Sequence, residues 1–255
     1  GRTDDGSAGI LMHTEGFSAG GTSAEAFAFR TGRSRETAFT RDYDALAGLL
    51  RHDKEHGNVV WVLGPACSFD ASAKAAMQAL IENGYAHGLL AGNALATHDL
   101  EGSLLHTALG QDIYTQRSAP NGHYHHLDTL NRVRYHGTIA NFTPHDNIHH
   151  GIIYSCEKCG VPYVLGVSVR DDGPLPEVYG NVYEAQDAMR SCVRKATTFI
   201  CLATMLHTIA TGNMTPSYRV LPDGTVREVY FYCVDISEFT VNKLSDRGSL
   251  SAHGI

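Results

Sequence analysis

Two stretches of this 255-residue chain concentrate side chains that can do chemistry. One is Arg170-Asp171-Asp172-Gly-Pro-Leu-Pro176, to which Asp235 and the run Lys243-Leu-Ser-Asp-Arg247-Gly-Ser249 add further charges. A guanidinium matches a carboxylate with two parallel hydrogen bonds, so these cations could grip the carboxylate of an amino acid while the aspartates hold its amines. The competing reading is a structural ion-pair network, which α/β enzymes often carry. The other stretch is Asn121-Gly-His-Tyr-His-His-Leu-Asp128, with His98-Asp99 and His106 upstream. His123 and His126 lie three apart, yet no ligand triad such as HExxH is present, so a helix cap and substrate-loop role fits better and no metal ligand is assigned.

Five apolar runs must position these groups. They are Asn58–Leu63, Ala86–Ala91, Val161–Ser168, Thr197–Ala203 and Glu228–Val234. Each runs into a segment dense in Gly, Asn, Thr, His and Asp: residues 64–70, 92–99, 168–174, 204–213 and 235–238. One such Gly or Asn merely makes a tight turn. Five agreeing segments are another matter, because in a parallel sheet they gather at one edge, where ligands bind and helix N-termini offer free N–H groups to a pyrophosphate. The GxGxxG fingerprint is absent, so a dinucleotide would be held by a variant of the usual nucleotide-binding half.

Helical stretches separate most of the strands. Ala73, Ala76, Met77, Leu80 and Ile81 share one helix face, closed by Asn83-Gly84, and others are expected at 42–56, 121–136, 146–159 and 180–194. The pattern predicts an α/β fold, a mostly parallel sheet with helices on both faces. The turn Pro222-Asp223-Gly224 predicts one hairpin near the C-terminus, with Tyr218–Leu221 antiparallel to the fifth strand. Residues 1–57 read as a lead-in segment, and 58–255 as the domain that binds and catalyses.

A net charge of −7 with no Lys/Arg-rich run argues against nucleic acid or an anionic membrane as partner. Six cysteines, two of them (Cys201 and Cys233) inside apolar runs, suit a reducing compartment; with no signal peptide in view, the expected location is the cytoplasm. Cys156-Glu-Lys-Cys159 closes a helix instead of opening one and reads as structural thiols.

At 89–101 (Leu-Leu-Ala-Gly-Asn-Ala-Leu-Ala-Thr-His-Asp-Leu-Glu), 170–176, 206–217 (Leu-His-Thr-Ile-Ala-Thr-Gly-Asn-Met-Thr-Pro-Ser), 234–237 (Val-Asp-Ile-Ser) and 243–249, the sequence resembles the LOR/SDH conserved-domain family. The likeness covers roughly residues 25 to 255, and one departure is Gly166-Val-Ser-Val-Arg170, where the family has Ala-Gly-Ser-Ile-Arg. Its best-understood members are archaeal-type ornithine cyclodeaminases. The same domain follows an arginine dihydrolase module in cyanobacterial bifunctional enzymes, and the chain looks shorter than full members at both ends.

The resemblance implies a deoxyhypusine-synthase-like NAD-binding fold, a tightly held NAD, a homo-oligomer, and conversion of L-ornithine to L-proline with release of ammonia. In that reaction the cofactor takes a hydride from the α-carbon and returns it to the cyclic imine, so one base must accept a proton from the α-amine. From residue chemistry and strand-end position, the base is Asp235 or Asp99. Asp171 and Asp172 anchor the δ-ammonium, and Arg170, Lys243 or Arg247 grips the carboxylate. The expected cofactor contacts are Gly64, Pro65, Gly92, Asn93, Ala94, Thr97, His98, Thr204, His207, Thr208, Thr211, Gly212, Asn213, Met214, Thr215 and Asp235. The alternatives are a non-catalytic NAD-binding or oligomerisation module of a larger enzyme, and an NAD-dependent enzyme acting on lysine or saccharopine.

Overall fold

Val59–Leu63 is apolar at every position and buried at every position, so it must lie inside a sheet covered on both faces. The computed structural model, which describes residues 40–168, 173–235 and 252–254, places it there. In chain order the first elements are α1 (Thr40–His56), β1 (Val59–Leu63), a 3-10 turn (Pro65–Ser68), α2 (Ala71–Glu82), β2 (Gly88–Gly92) and α3 (Asn93–Leu105). A small ribbon, β3 (Thr107–Ala108) and β4 (Gln111–Asp112), precedes α4 (His125–His136), α5 (Ile139–His145) and α6 (Ile152–Cys159). Then come β5 (Tyr163–Gly166), β6 (Val178–Tyr179), α7 (Val182–Val193), β7 (Thr198–Leu202) and α8 (Leu206–Met214). The described elements end with β8 (Tyr218–Val220), β9 (Val226–Glu228), β10 (Tyr230–Val234) and β11 (Ala252–Gly254).

The main sheet has seven strands in the order β11-β10-β7-β1-β2-β5-β6, and every neighbouring pair is parallel. Alternation along each strand divides the core in two. Val59, Trp61 and Leu63 face α2 to α6 through Met77, Leu95, Leu130 and Phe142. Val60, Val62 and Leu90 face α7 and α8 through Met189, Val193 and Ile209.

Several expectations change. The segments 92–99 and 204–213, read as strand-end loops, are helical from Asn93 and Leu206 onward. No amphipathic stripe marks α3 because ten of its residues are buried, polar ones included. The helix expected over 146–159 starts only at Ile152, since Gly151 sits at φ +122° and cannot be helical. The hairpin at 222–224 exists, but β8 pairs with β9, outside the main sheet, and not with the fifth strand. The ladder breaks at the buried Val229: its N–H donates to Ser217 O in the ribbon, whereas that of Tyr230 donates to Thr197 O in the sheet.

α1, expected with the lead-in, docks on the same unit as the sheet. Its Leu46 and Leu50 pack on the first core, and its buried Asp53 accepts from Thr197, Thr198 and both terminal nitrogens of Arg227. The chain divides into two compact units, Gly1–Thr40 and Arg41–Ile255, and the first lies outside the described side chains. Among the described residues no helix is long and apolar enough to cross a membrane.

Candidate functional site

Because all seven strands run the same way, Gly64, Gly92, Val167, Ala203 and Asp235 emerge at one edge of the sheet. From β1 the chain winds outward through β2, β5 and β6, then returns to β7 and winds the other way. Winding therefore reverses between β1 and β7, which leaves a crevice that no crossover covers. The two loops at that crevice touch. Gly64 N–H donates to Leu202 O at 2.8 Å, and a Cβ on Gly64 would lie 1.9 Å from Ala203 O, so only glycine fits. Ala203 itself takes φ +52°, an uncommon conformation for a residue with a side chain.

The helix starts differ in how they are capped. α2, α5 and α7 are capped by the side chains of Asp70, Thr138 and Asn181. Among the described residues, α3 behind Gly92 and α8 behind Met205 have no cap from the side chain of their own N-cap residue. A helix start of this kind can offer its first N–H groups to an anion. His207, in the first turn of α8, leans over β2: its Cε1 is 3.0 Å from where a Cβ on Gly92 would stand. Gly92 and Gly166 are register partners, and the same ring lies 3.6 Å from the corresponding point on Gly166.

The structure distributes the candidate residues unevenly. Gly64, Pro65, Gly92, Ala94, Thr204, His207 and the half-buried Asp235 sit at the edge. Asn93 begins α3 there, but its amide donates to Gly173 O (3.2 Å) and accepts from Leu175 N–H (2.9 Å), which pins residues 173–175. Thr97 lies behind it, buried and 3.5 Å from its side-chain oxygen. Thr208 bonds back to Thr204 O within α8. Thr211, Gly212, Asn213, Met214 and Thr215 fall at the far end of α8, roughly 8–13 Å along the axis from Leu206 at 1.5 Å per residue, and not at the mouth. Arg170, Asp171, Asp172, Lys243 and Arg247 lie outside the described residues.

Asp99 needs a correction. It has no exposed surface, and its two oxygens accept from Ile152 N–H (3.0 Å) and Ile153 N–H (2.8 Å), with the buried Lys74 ammonium 3.3 Å away. That carboxylate caps α6 and cannot meet a substrate. Only Asp235 of the two proposed bases stands at the edge.

Sequence reasoning missed Glu101. It is fully buried, and its carboxylate accepts from Thr107 Oγ1 (2.8 Å), Gly110 N–H (3.1 Å) and Leu109 N–H (3.2 Å) and pairs with His98 Nδ1 (2.8 Å). Burial pushes this carboxyl upward, but the bonds from His98, Thr107 and Gly110 outweigh it and hold the group below its usual range. His98, expected on the cofactor, is thus turned into α3 on its Nδ1 side, with Phe69 edge-on at 5.6 Å and His126 at 6.2 Å between ring centroids. A carboxylate in the stretch Leu100-Glu-Gly-Ser-Leu-Leu105, three residues after a histidine, was the available signal. Among the described residues no group of three or more His, Cys, Asp or Glu side chains converges on a metal-sized point.

Residues 45–255 match the family described as arginine dihydrolase ArgZ-like, C-terminal, Rossmann fold. The chain belongs to that family. It is 44% identical to an ornithine cyclodeaminase of Methanocaldococcus jannaschii over 199 residues, 78% of this chain and 44% of the relative. The fold of a putative LOR/SDH protein from Methanococcus maripaludis S2 superposes with a TM-score of 0.77 at 37% identity, covering 87% of this chain and 66% of that one. AgrE, solved as a ternary complex with ornithine and NAD+, superposes with a TM-score of 0.76 at 36% identity, covering 84% of this chain and 30% of AgrE. The chain spans about half the length, or less, of the curated relatives it matches. What the ArgZ-like domain shares with the solved relatives is the α/β fold.

Proposed function

We propose that this domain holds NAD at the β1/β7 crevice and serves an ornithine cyclodeaminase, which makes L-proline and ammonia from L-ornithine. The observation that carries this reading is the AgrE complex with ornithine and NAD+, together with the close match in fold and sequence across most of this chain. The residues at the crevice suit such a cofactor. Gly64 leaves the backbone bare where β1 meets β7, and the starts of α3 and α8 supply N–H donors for a pyrophosphate. When bound, NAD+ supplies a hydride acceptor that gives the hydride back within one turnover.

The chain's own tasks are positioning and proton handling. Asp235 takes a proton from the α-ammonium, which is otherwise a poor hydride source. Arg170, Lys243 or Arg247 holds the substrate carboxylate, and Asp171 with Asp172 the distal ammonium. Packing of Gly64 against Ala203 closes one wall of the crevice against water.

Two measurements test this. Absorbance and mass spectrometry of the supernatant after denaturation should reveal a co-purifying dinucleotide. Incubation with ornithine, lysine or saccharopine should yield proline and ammonia from ornithine alone. A protein that releases no dinucleotide, and turns over none of the three with NAD+ added, would refute the proposal. Asp235→Asn should retain the dinucleotide and lose proline formation.

A further inference from the structure

The reaction proposed above removes one proton from the α-nitrogen early and must put one back as that nitrogen departs as ammonia. Asp235 serves the first event; the second has no server. We infer that His98, held in place by Glu101, donates the proton to the departing nitrogen, an assignment that rests on the function proposed above.

Three observations carry it. Orientation comes first: Glu101 is locked by Thr107 Oγ1 and by the N–H groups of Leu109 and Gly110, so its remaining partner, His98 Nδ1 at 2.8 Å, is fixed in angle. Nε2 must then point the opposite way, and among the described residues it makes no hydrogen bond. Charge comes second. Among the described residues neither lysine nor arginine bonds the fully buried Glu101, and His98 is the ionisable partner its carboxylate contacts.

Access comes third. Nine per cent of the His98 side chain reaches the surface, and its ring packs against Phe69, which directly follows the 3-10 turn leaving β1. His98 lies five residues into α3, the helix that follows β2 beside β1, and Asp235 follows β10 beyond β7. The titratable groups around it are Glu101 on its own helix, His126 of α4, and His125 of α4, which reaches Glu101 through Thr107.

In the step itself, an N–H bond forms with the proton from Nε2 while the C–N bond breaks, and its electron pair leaves with the nitrogen. The lone pair of the neighbouring ring nitrogen closes the C=N bond of the cyclic imine. The neutral imidazole regains a proton, and Asp235 releases one, before the next turnover. Glu101 is a positioning residue and His98 the donor.

The test uses His98→Gln and Glu101→Gln in the full enzyme, measuring dinucleotide retention, KM and kcat for proline, and the near-ultraviolet absorbance of reduced nicotinamide in a single turnover. His98→Gln should keep its dinucleotide and KM, lose about 100-fold or more in kcat, and accumulate reduced nicotinamide, because oxidation precedes the blocked step. Glu101→Gln should show the same accumulation with a smaller loss, about 10-fold. Proline formation by His98→Gln within about 3-fold of the parent, or a loss without accumulation, overturns the donor role; so does an unchanged Glu101→Gln. A parent that oxidises nothing overturns the proposed reaction itself, and this assignment with it.

Discussion

The two ends of the parallel sheet use the same kinds of residue to opposite effect. At the end where the strands begin, Asp53 is fully buried, accepts from Thr197, Thr198 and both terminal nitrogens of Arg227, and touches His52. Every lone pair is used. Burial alone would raise that carboxyl, but the bonds from Arg227, Thr198, His52 and Thr197 prevail and bring it down to about 2. At the end where the strands finish, α3 and α8 start without a cap from their own N-cap side chains, Ala203 is held at positive φ, and Gly64 keeps a side chain out of the crevice. Strained backbone and bare glycine mark the end where the proposal puts the ligand; saturated polar groups mark the end that holds the fold.

Asp53→Ala breaks the saturated end most severely, because it leaves the Arg227 guanidinium, only 15% exposed, without its partner. A loss of about 3–5 kcal/mol in denaturant unfolding is expected, with dinucleotide affinity unchanged; a large change in affinity would mean that the two ends are not separable. Gly64→Ala strikes the other end, driving a methyl into Ala203 O, and should cost roughly 3 kcal/mol while abolishing dinucleotide retention. Retention at the parental level would show that the crevice is elsewhere.

Acid sharpens the contrast next. Since the folded Asp53 carboxyl lies near 2 against an ordinary 3.8, its contribution is complete above pH 4 and disappears as pH falls towards 2. The loss amounts to ~2 kcal/mol, and Asp53→Asn should flatten that part of the stability profile. Asn93→Asp keeps the acceptor for Leu175 N–H but turns a repelling oxygen on Gly173 O, so stability should drop by about 1 kcal/mol. Smallest of all, Asp187→Ala removes the exposed ion pair with Arg190 and should move the unfolding midpoint hardly at all, within ~0.5 kcal/mol.

The strands and the edge at which they end were legible because continuous apolar runs followed by small polar residues are local signals. β1, β2, β5, β7 and β10 fall where the runs are, give or take two residues at each end. α3 was not legible as a helix, because a helix buried on all sides loses the 3.6-residue stripe. β6, two residues long, offers no period at all. For the site, strand-end position correctly gathered Gly64, Gly92, His207 and Asp235 at one edge. It misjudged Asp99, since nothing local reveals that two N–H groups more than fifty residues away would claim its oxygens.

Composition and periodicity by themselves determined the class of fold, the direction of the sheet and the edge at which the strand-end segments gather, because burial on both faces and turn chemistry are written residue by residue. Which partners claim each buried carboxylate was decided only in three dimensions. Asp53 meets Arg227, Asp99 meets α6 and Glu101 meets the Leu109-Gly110 turn through contacts set by packing. A charge's chemistry depends on what surrounds it once water is gone, and the order of residues along the chain does not state that.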